Sequence, residues 1–126
     1  MMWKPTIAEI LTFHTKLTAR TGGSDGVRSL PLVESALCRF DASFGGIELY
    51  ETIEEKAAAV GCGLIQNHAF LDGNKRIGIV VMLLILRKNG IMLSYTQEEL
   101  VELVLDAACS KIDVSDFVRF IRKHRV

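Results

Sequence analysis

Gln66-Asn67-His68-Ala69-Phe70-Leu71-Asp72-Gly73-Asn74-Lys75-Arg76 runs directly into Ile77-Gly78-Ile79-Val80-Val81-Met82-Leu83-Leu84-Ile85-Leu86, and then into Arg87-Lys88-Asn89-Gly90. A polar cluster gives way to the most apolar segment of the chain, which carries no charge. An apolar run with no polar face predicts a helix over about 74–88 that is buried on nearly all sides. Gly90 stops it, and Arg87 and Lys88 in its last turn suit the negative end of the dipole. The polar cluster is then a loop fixed to a helix N-terminus. Unpaired backbone N–H groups and the positive end of the dipole suit phosphate there.

Outward from this stretch, the pattern is helical on both sides. Thr52-Ile53-Glu54-Glu55 is a capping box opening a helix over about 53–67. Ala57, Ala58, Ala59, Gly61 and Gly63 give that helix a small-residue surface, which lets a neighbour approach closely. Each glycine costs about 1 kcal/mol relative to alanine in a helix interior, which points to packing pressure from the apolar helix that follows. Residues 41–50 read as a loop with a short extended piece at Ile47 to Tyr50, where Phe44 and Tyr50 are either core anchors or part of a flap. Pro31 suits the first turn of a helix over about 31–40, with Leu32, Val33, Ala36 and Leu37 as its buried stripe. Gly22 to Ser29 is a turn-rich loop: either punctuation, or a segment that approaches a cleft with Arg28 at its tip. Thr6-Ile7-Ala8-Glu9 is another capping box, for a helix ending near Thr21.

Towards the C-terminus, Thr96-Gln97-Glu98-Glu99 opens a helix over about 97–109, and Asp113 starts a last one that ends in the basic tail Arg122-Lys123-His124-Arg125. Such short basic helix ends are ordinarily solvated, and nucleic-acid binding by the tail is a weak reading. No long alternating run predicts a sheet. The expected fold is all-α: one compact domain, residues 1–126, of about six helices around the central helix 74–88.

Composition narrows the class. Fifteen basic residues balance fifteen acidic ones, so no global charge draws the chain to nucleic acid or to an anionic membrane. Cys38, Cys62 and Cys109 form no CxxC pair, which argues against a zinc site and against a thioredoxin-like motif. They read as reduced thiols, at least two of them packed as small apolar residues, in a reducing compartment. No signal-peptide pattern stands at the N-terminus, and the run at 77–86 is about half of a bilayer crossing. The expected location is the cytoplasm.

The loop carries the chemistry. His68 lies where the preceding helix should end, so its ring is reachable. It reads as a general base or as a surface or capping histidine. Asp72 is either a turn residue before Gly73 or a carboxylate for Mg²⁺, which commonly takes one or two protein carboxylates with phosphate oxygens and water. Gly73 lets a ligand approach the backbone, and Asn74 either aims its amide at an anion or caps the helix. Lys75 and Arg76 oppose the macrodipole, so local stability prefers acids at their positions. A bound polyphosphate reverses that preference. Phe70, apolar within the polar loop, should insert into the core and support the constellation. The loop is neither a Walker A sequence nor a zincin helix.

His68-Ala69-Phe70-Leu71-Asp72-Gly73-Asn74-Lys75-Arg76 resembles the Fic/Doc signature HxFx(D/N)(G/A)N(G/K)R, and its Lys-Arg ending is similar to the death-on-curing branch. Gly22-Gly23 through Leu37, Thr52 to Ala59 and Asn89-Gly90 fit the same branch, so the resemblance covers most of residues 20–90. It implies an all-helical fold and transfer of part of ATP to a protein hydroxyl. It implies His68 as the base, Asp72 on Mg²⁺, Gly73 and Asn74 as an anion hole, and Lys75 and Arg76 on phosphates.

Two positions divide the branches. AMP-transferring relatives usually have glycine where this chain has Lys75, and a second arginine where it has Ile79. The resemblance therefore favours transfer of the γ-phosphate, with a threonine of elongation factor Tu as the target and translation as the process stopped. Gly73 replaces an alanine frequent in that branch. No stretch matches the inhibitory pattern (S/T)xxxE(G/N), which implies inhibition by a separate antitoxin. AMP transfer through the same loop, and a non-catalytic regulatory module, are the alternatives.

Overall fold

The computed structural model describes residues 2–109 and 113–126. Among them are six α-helices: α1 (Ile7–Thr21), α2 (Leu30–Cys38), α3 (Ile53–Asn67), α4 (Asn74–Lys88), α5 (Gln97–Ala108) and α6 (Val114–His124). A 3₁₀ turn, Arg39–Asp41, continues α2 where an α-helix to residue 40 was expected. The fold is all-α apart from one small hairpin.

Local chemistry sets the helix ends. Thr6, Thr52 and Thr96 each accept from the third backbone N–H of their helix, while Glu9, Glu55 and Glu99 reach back to the capping N–H. Asp113 and Asp116 do the same for α6, an acid pair in place of the usual hydroxyl and glutamate. Gly22 ends α1 in the left-handed conformation that favours glycine.

α3 is the most enclosed element. It is buried without a break from Lys56 to Ile65, and it packs against α2, α4, α5 and α6. α4 lies along it with Ile77, Gly78, Ile79, Val81, Met82, Ile85 and Leu86 buried, while Val80, Leu83 and Leu84 are half-buried. The centre thus falls on the small-residue helix. A side-chain hydropathy pattern underweights it because alanine and glycine bury mainly backbone. A β-carbon on Gly61 would lie 3.0 Å from the Gly78 carbonyl oxygen, and one on Gly78 would lie 2.7 Å from the Gly61 carbonyl oxygen. The two glycines face each other where the helices cross.

The segment 41–50 departs from expectation. Ser43–Phe44 and Ile47–Glu48 form a two-stranded antiparallel hairpin that turns at Gly45-Gly46. Phe44 is 82 % exposed and so is not a core anchor, and Tyr50 is half-buried. The hairpin is tied down by Lys56, whose buried ammonium donates to the Phe40 carbonyl at 2.7 Å and to Glu48 at 3.1 Å. The thiols also depart: Cys62 alone is buried, and Cys38 and Cys109 are exposed. Nor is the basic tail simply solvated. His124 bonds Glu99, Arg125 bonds Glu54, and Val126 pairs its backbone with Met92.

Candidate active site

α3 ends at Asn67, and His68 caps it at φ 51°, ψ 45°. Among the described residues it is the one non-glycine in the left-handed region. Histidine is among the residues that tolerate this region, at a cost on the order of 1 kcal/mol. The conformation turns the chain out of the helix and leaves the imidazole exposed. Its carbonyl is gripped by Arg28, which donates from Nε at 3.0 Å and also from Nη2.

The glycine-rich loop lies against the motif loop. Arg28 N and Ser29 N both donate to the Ala69 carbonyl, at 2.8 and 2.9 Å, and Leu71 N donates to the Gly26 carbonyl at 3.1 Å. Val27 and Phe70 form an antiparallel bridge. A β-carbon on Gly23 would lie 2.8 Å from the Asp72 carboxylate, and one on Gly26 would lie 2.8 Å from Leu71. These glycines are therefore sites of close approach, and Arg28 points into the motif loop.

Phe70 is buried, as expected, and stacks on the His14 ring with centroids 3.9 Å apart. Asn74 accepts from the Phe70 N–H and donates to the Phe70 carbonyl, both at 3.0 Å. Its side-chain amide thus closes the loop on itself and is not aimed at an anion. No side chain caps α4, so the N–H groups of Asn74, Lys75 and Arg76 have no partner within the helix. Asp72 is exposed; its Oδ1 accepts from Gly73 N at 2.8 Å and its Oδ2 faces Ser24 N at 3.4 Å. Lys75 and Arg76 are exposed, and neither forms an ion pair among the described residues.

His68 and residues 71–76 line one surface concavity of about 360 Å³, which brings together His68, Asp72, Gly73, Asn74, Lys75 and Arg76. A histidine ring, a carboxylate and two unpaired cations thus surround the uncapped, positive end of a buried helix. That arrangement suits a polyphosphate beside a nucleophile. Three supporting contacts were not legible as such: His14 beneath the loop, Arg28 on His68, and Ser24 beside Asp72. For His14 there was a signal, because Ile10, His14 and Thr18 share the buried stripe of α1. Two polar residues four apart on an apolar stripe mark a hydrogen-bonding task.

A profile of the Fic/DOC family matches residues 4–86, a span that takes in the whole of this loop. The chain belongs to the Fic/Doc family. Toxin Doc of Mycolicibacterium smegmatis is 37 % identical over 91 residues, covering 70 % of this chain and 70 % of that protein. Protein kinase doc of Escherichia phage P1 is 29 % identical over 115 residues, covering 91 % of this chain and 90 % of that protein. Both Fic/Doc relatives fall in the Doc branch, the one that the Lys75-Arg76 ending resembles.

Proposed function

We propose that this chain, acting as one unit over residues 1–126, is a Doc-type toxin that transfers the γ-phosphate of ATP to a protein hydroxyl. The observation that carries this reading is the single concavity in which His68, Asp72, Lys75 and Arg76 meet the free amides of α4. The names of the two relatives, a toxin and a protein kinase, agree with it.

His68 accepts the proton of the target hydroxyl as that oxygen attacks the γ-phosphorus. A new P–O bond forms, the bond from that phosphorus to the β-phosphate oxygen breaks, and ADP leaves. Little covalent chemistry falls to the protein in such a transfer; positioning and charge neutralisation dominate. Lys75, Arg76 and the first-turn amides of α4 hold the phosphates. Asn74 contributes its backbone N–H, while its side chain keeps the loop closed.

The donor set fits a nucleotide-borne Mg²⁺. Among the described residues no group of three or more His, Cys, Asp or Glu could hold a metal by itself. A lone exposed carboxylate suits an ion that brings phosphate and water ligands, so Asp72 would hold it. Bound there, Mg²⁺ supplies neutralisation of the phosphate charge.

Ile79, 8 % exposed, supports phosphate transfer over AMP transfer, because its position offers no second guanidinium for a terminal phosphate. By family resemblance the target is a threonine of elongation factor Tu, and a separate antitoxin restrains the toxin. The setting is then the cytoplasm; no helix among the described residues is long and apolar enough to cross a membrane. Expression without an antitoxin should arrest bacterial growth, and His68→Ala should relieve the arrest. Undiminished arrest by a folded His68→Ala variant would remove the enzymatic reading.

A further inference from the structure

We propose that His14 is a positioning residue of this site: through its Nε2–H it locks the peptide that joins Asp72 to Gly73. The inference rests on the reading that the loop is catalytic, but its geometry stands apart from which group is transferred.

His14 is 1 % exposed, on the inner face of α1. Its Nε2 lies 2.6 Å from the Asp72 carbonyl oxygen. A carbonyl only accepts, so Nε2 carries the proton. The ring plane is set by stacking on Phe70, with an interplanar angle of 19°. Nδ1 faces the Asp25 carboxylate of the glycine-rich loop at 3.7 Å, beyond hydrogen-bond reach.

The peptide held in this way is trans, so its C=O and N–H point in opposite directions. With the carbonyl fixed against α1, the Gly73 N–H points the other way, where it meets Asp72 Oδ1 at 2.8 Å. One hydrogen bond from a buried ring therefore sets a backbone donor and, through it, the carboxylate. The lock is needed because Gly73 sits at φ 77°, and a peptide beside a glycine can rotate with little steric penalty. Rotation of this peptide would move Asp72 while leaving Lys75 and Arg76 on α4. His14 thus acts on the turnover geometry more than on nucleotide capture.

The test combines NMR with kinetics. In the wild-type protein, the ¹⁵N shifts of the His14 ring should show a protonated Nε2, with a through-hydrogen-bond coupling to the Asp72 carbonyl. A ring protonated on Nδ1 alone overturns the proposal. His14→Phe keeps the stack and removes the donor, whereas His14→Gln restores a donor near the Nε2 position. The Gly73 amide should lose hydrogen-exchange protection in His14→Phe and regain it in His14→Gln. If the loop transfers phosphate, kcat should fall roughly 10- to 100-fold in His14→Phe with KM for ATP little changed, and His14→Gln should recover most of it. Unchanged Gly73 protection in a folded His14→Phe variant also overturns the proposal. Absence of transfer by the wild type refutes the kinase reading alone, since the ring and amide measurements do not depend on it.

Discussion

Lys75 and Arg76 stand where an unliganded helix is least content with them. Both are exposed in the first turn of α4, and both oppose its dipole. The conflict is legible in the sequence, and the structure adds that neither cation has an acidic partner among the described residues. A charge reversal should therefore separate stability from function. Lys75→Glu should raise the unfolding free energy of the ligand-free protein by about 0.3–1 kcal/mol, read by urea denaturation, because a carboxylate suits a helix N-terminus. The same variant should lose most ATP binding in calorimetry. His68 presents the opposite case. Its place at a helix end was legible, but its left-handed backbone and the grip of Arg28 were not. The two residues are distant in sequence: the glycine-rich loop offers an approach to a cleft with Arg28 at its tip as one of two readings, but no local pattern names the His68 carbonyl as the group it meets.

The crossing of α3 and α4 decides where the motif loop sits, since the loop joins them. The glycines of α3 pointed to a close crossing, and Gly61 and Gly78 meet there. Gly78→Ala would place its methyl 2.5 Å from Ile65 and 2.7 Å from the Gly61 carbonyl. Backbone cannot yield as a side-chain tip does. The variant should lose about 1–3 kcal/mol in chemical denaturation, despite alanine's better helix propensity.

The C-terminal helices are joined by a charge pair that no periodicity reveals. His124 donates from Nδ1 to the Phe120 carbonyl and from Nε2 to Glu99, both at 2.7 Å, so the bonded ring carries two protons. The Glu99 hydrogen bond, helped by the Phe120 carbonyl, raises the His124 pKa above its ordinary 6.5. The His124 hydrogen bond, helped by Thr96, lowers Glu99 from 4.5 to about 2. The histidine contribution is complete below 6.5 and is lost as pH rises through the raised folded value. The glutamate contribution is complete above 4.5 and is lost as pH falls through about 2. His124→Gln should therefore lower the melting temperature most at about pH 5.5, between the ordinary values of the two groups, and the difference from wild type should shrink as pH rises through the raised His124 value. A difference independent of pH would show that packing on Phe120, not charge, holds the tail.

Across the whole molecule, the helices were legible because their ends are written in local chemistry and their buried faces in periodicity. The hairpin was not legible as such: its strands are two residues each, and Phe44 and Ile47 on it are exposed. The candidate site was legible as a loop, since its residues are contiguous from His68 to Arg76. Its support was not, because α1 supplies His14 and the segment before α2 supplies Ser24 and Arg28. The fold thus brings two separate segments to one loop, and that loop holds a free helix N-terminus towards solvent. The most direct test of the central claim is incubation of the purified protein with a bacterial lysate and ATP labelled at either the γ- or the α-phosphate. Label should pass to protein from the γ-position only; label retained from the α-position would contradict phosphate transfer and assign the loop to AMP transfer.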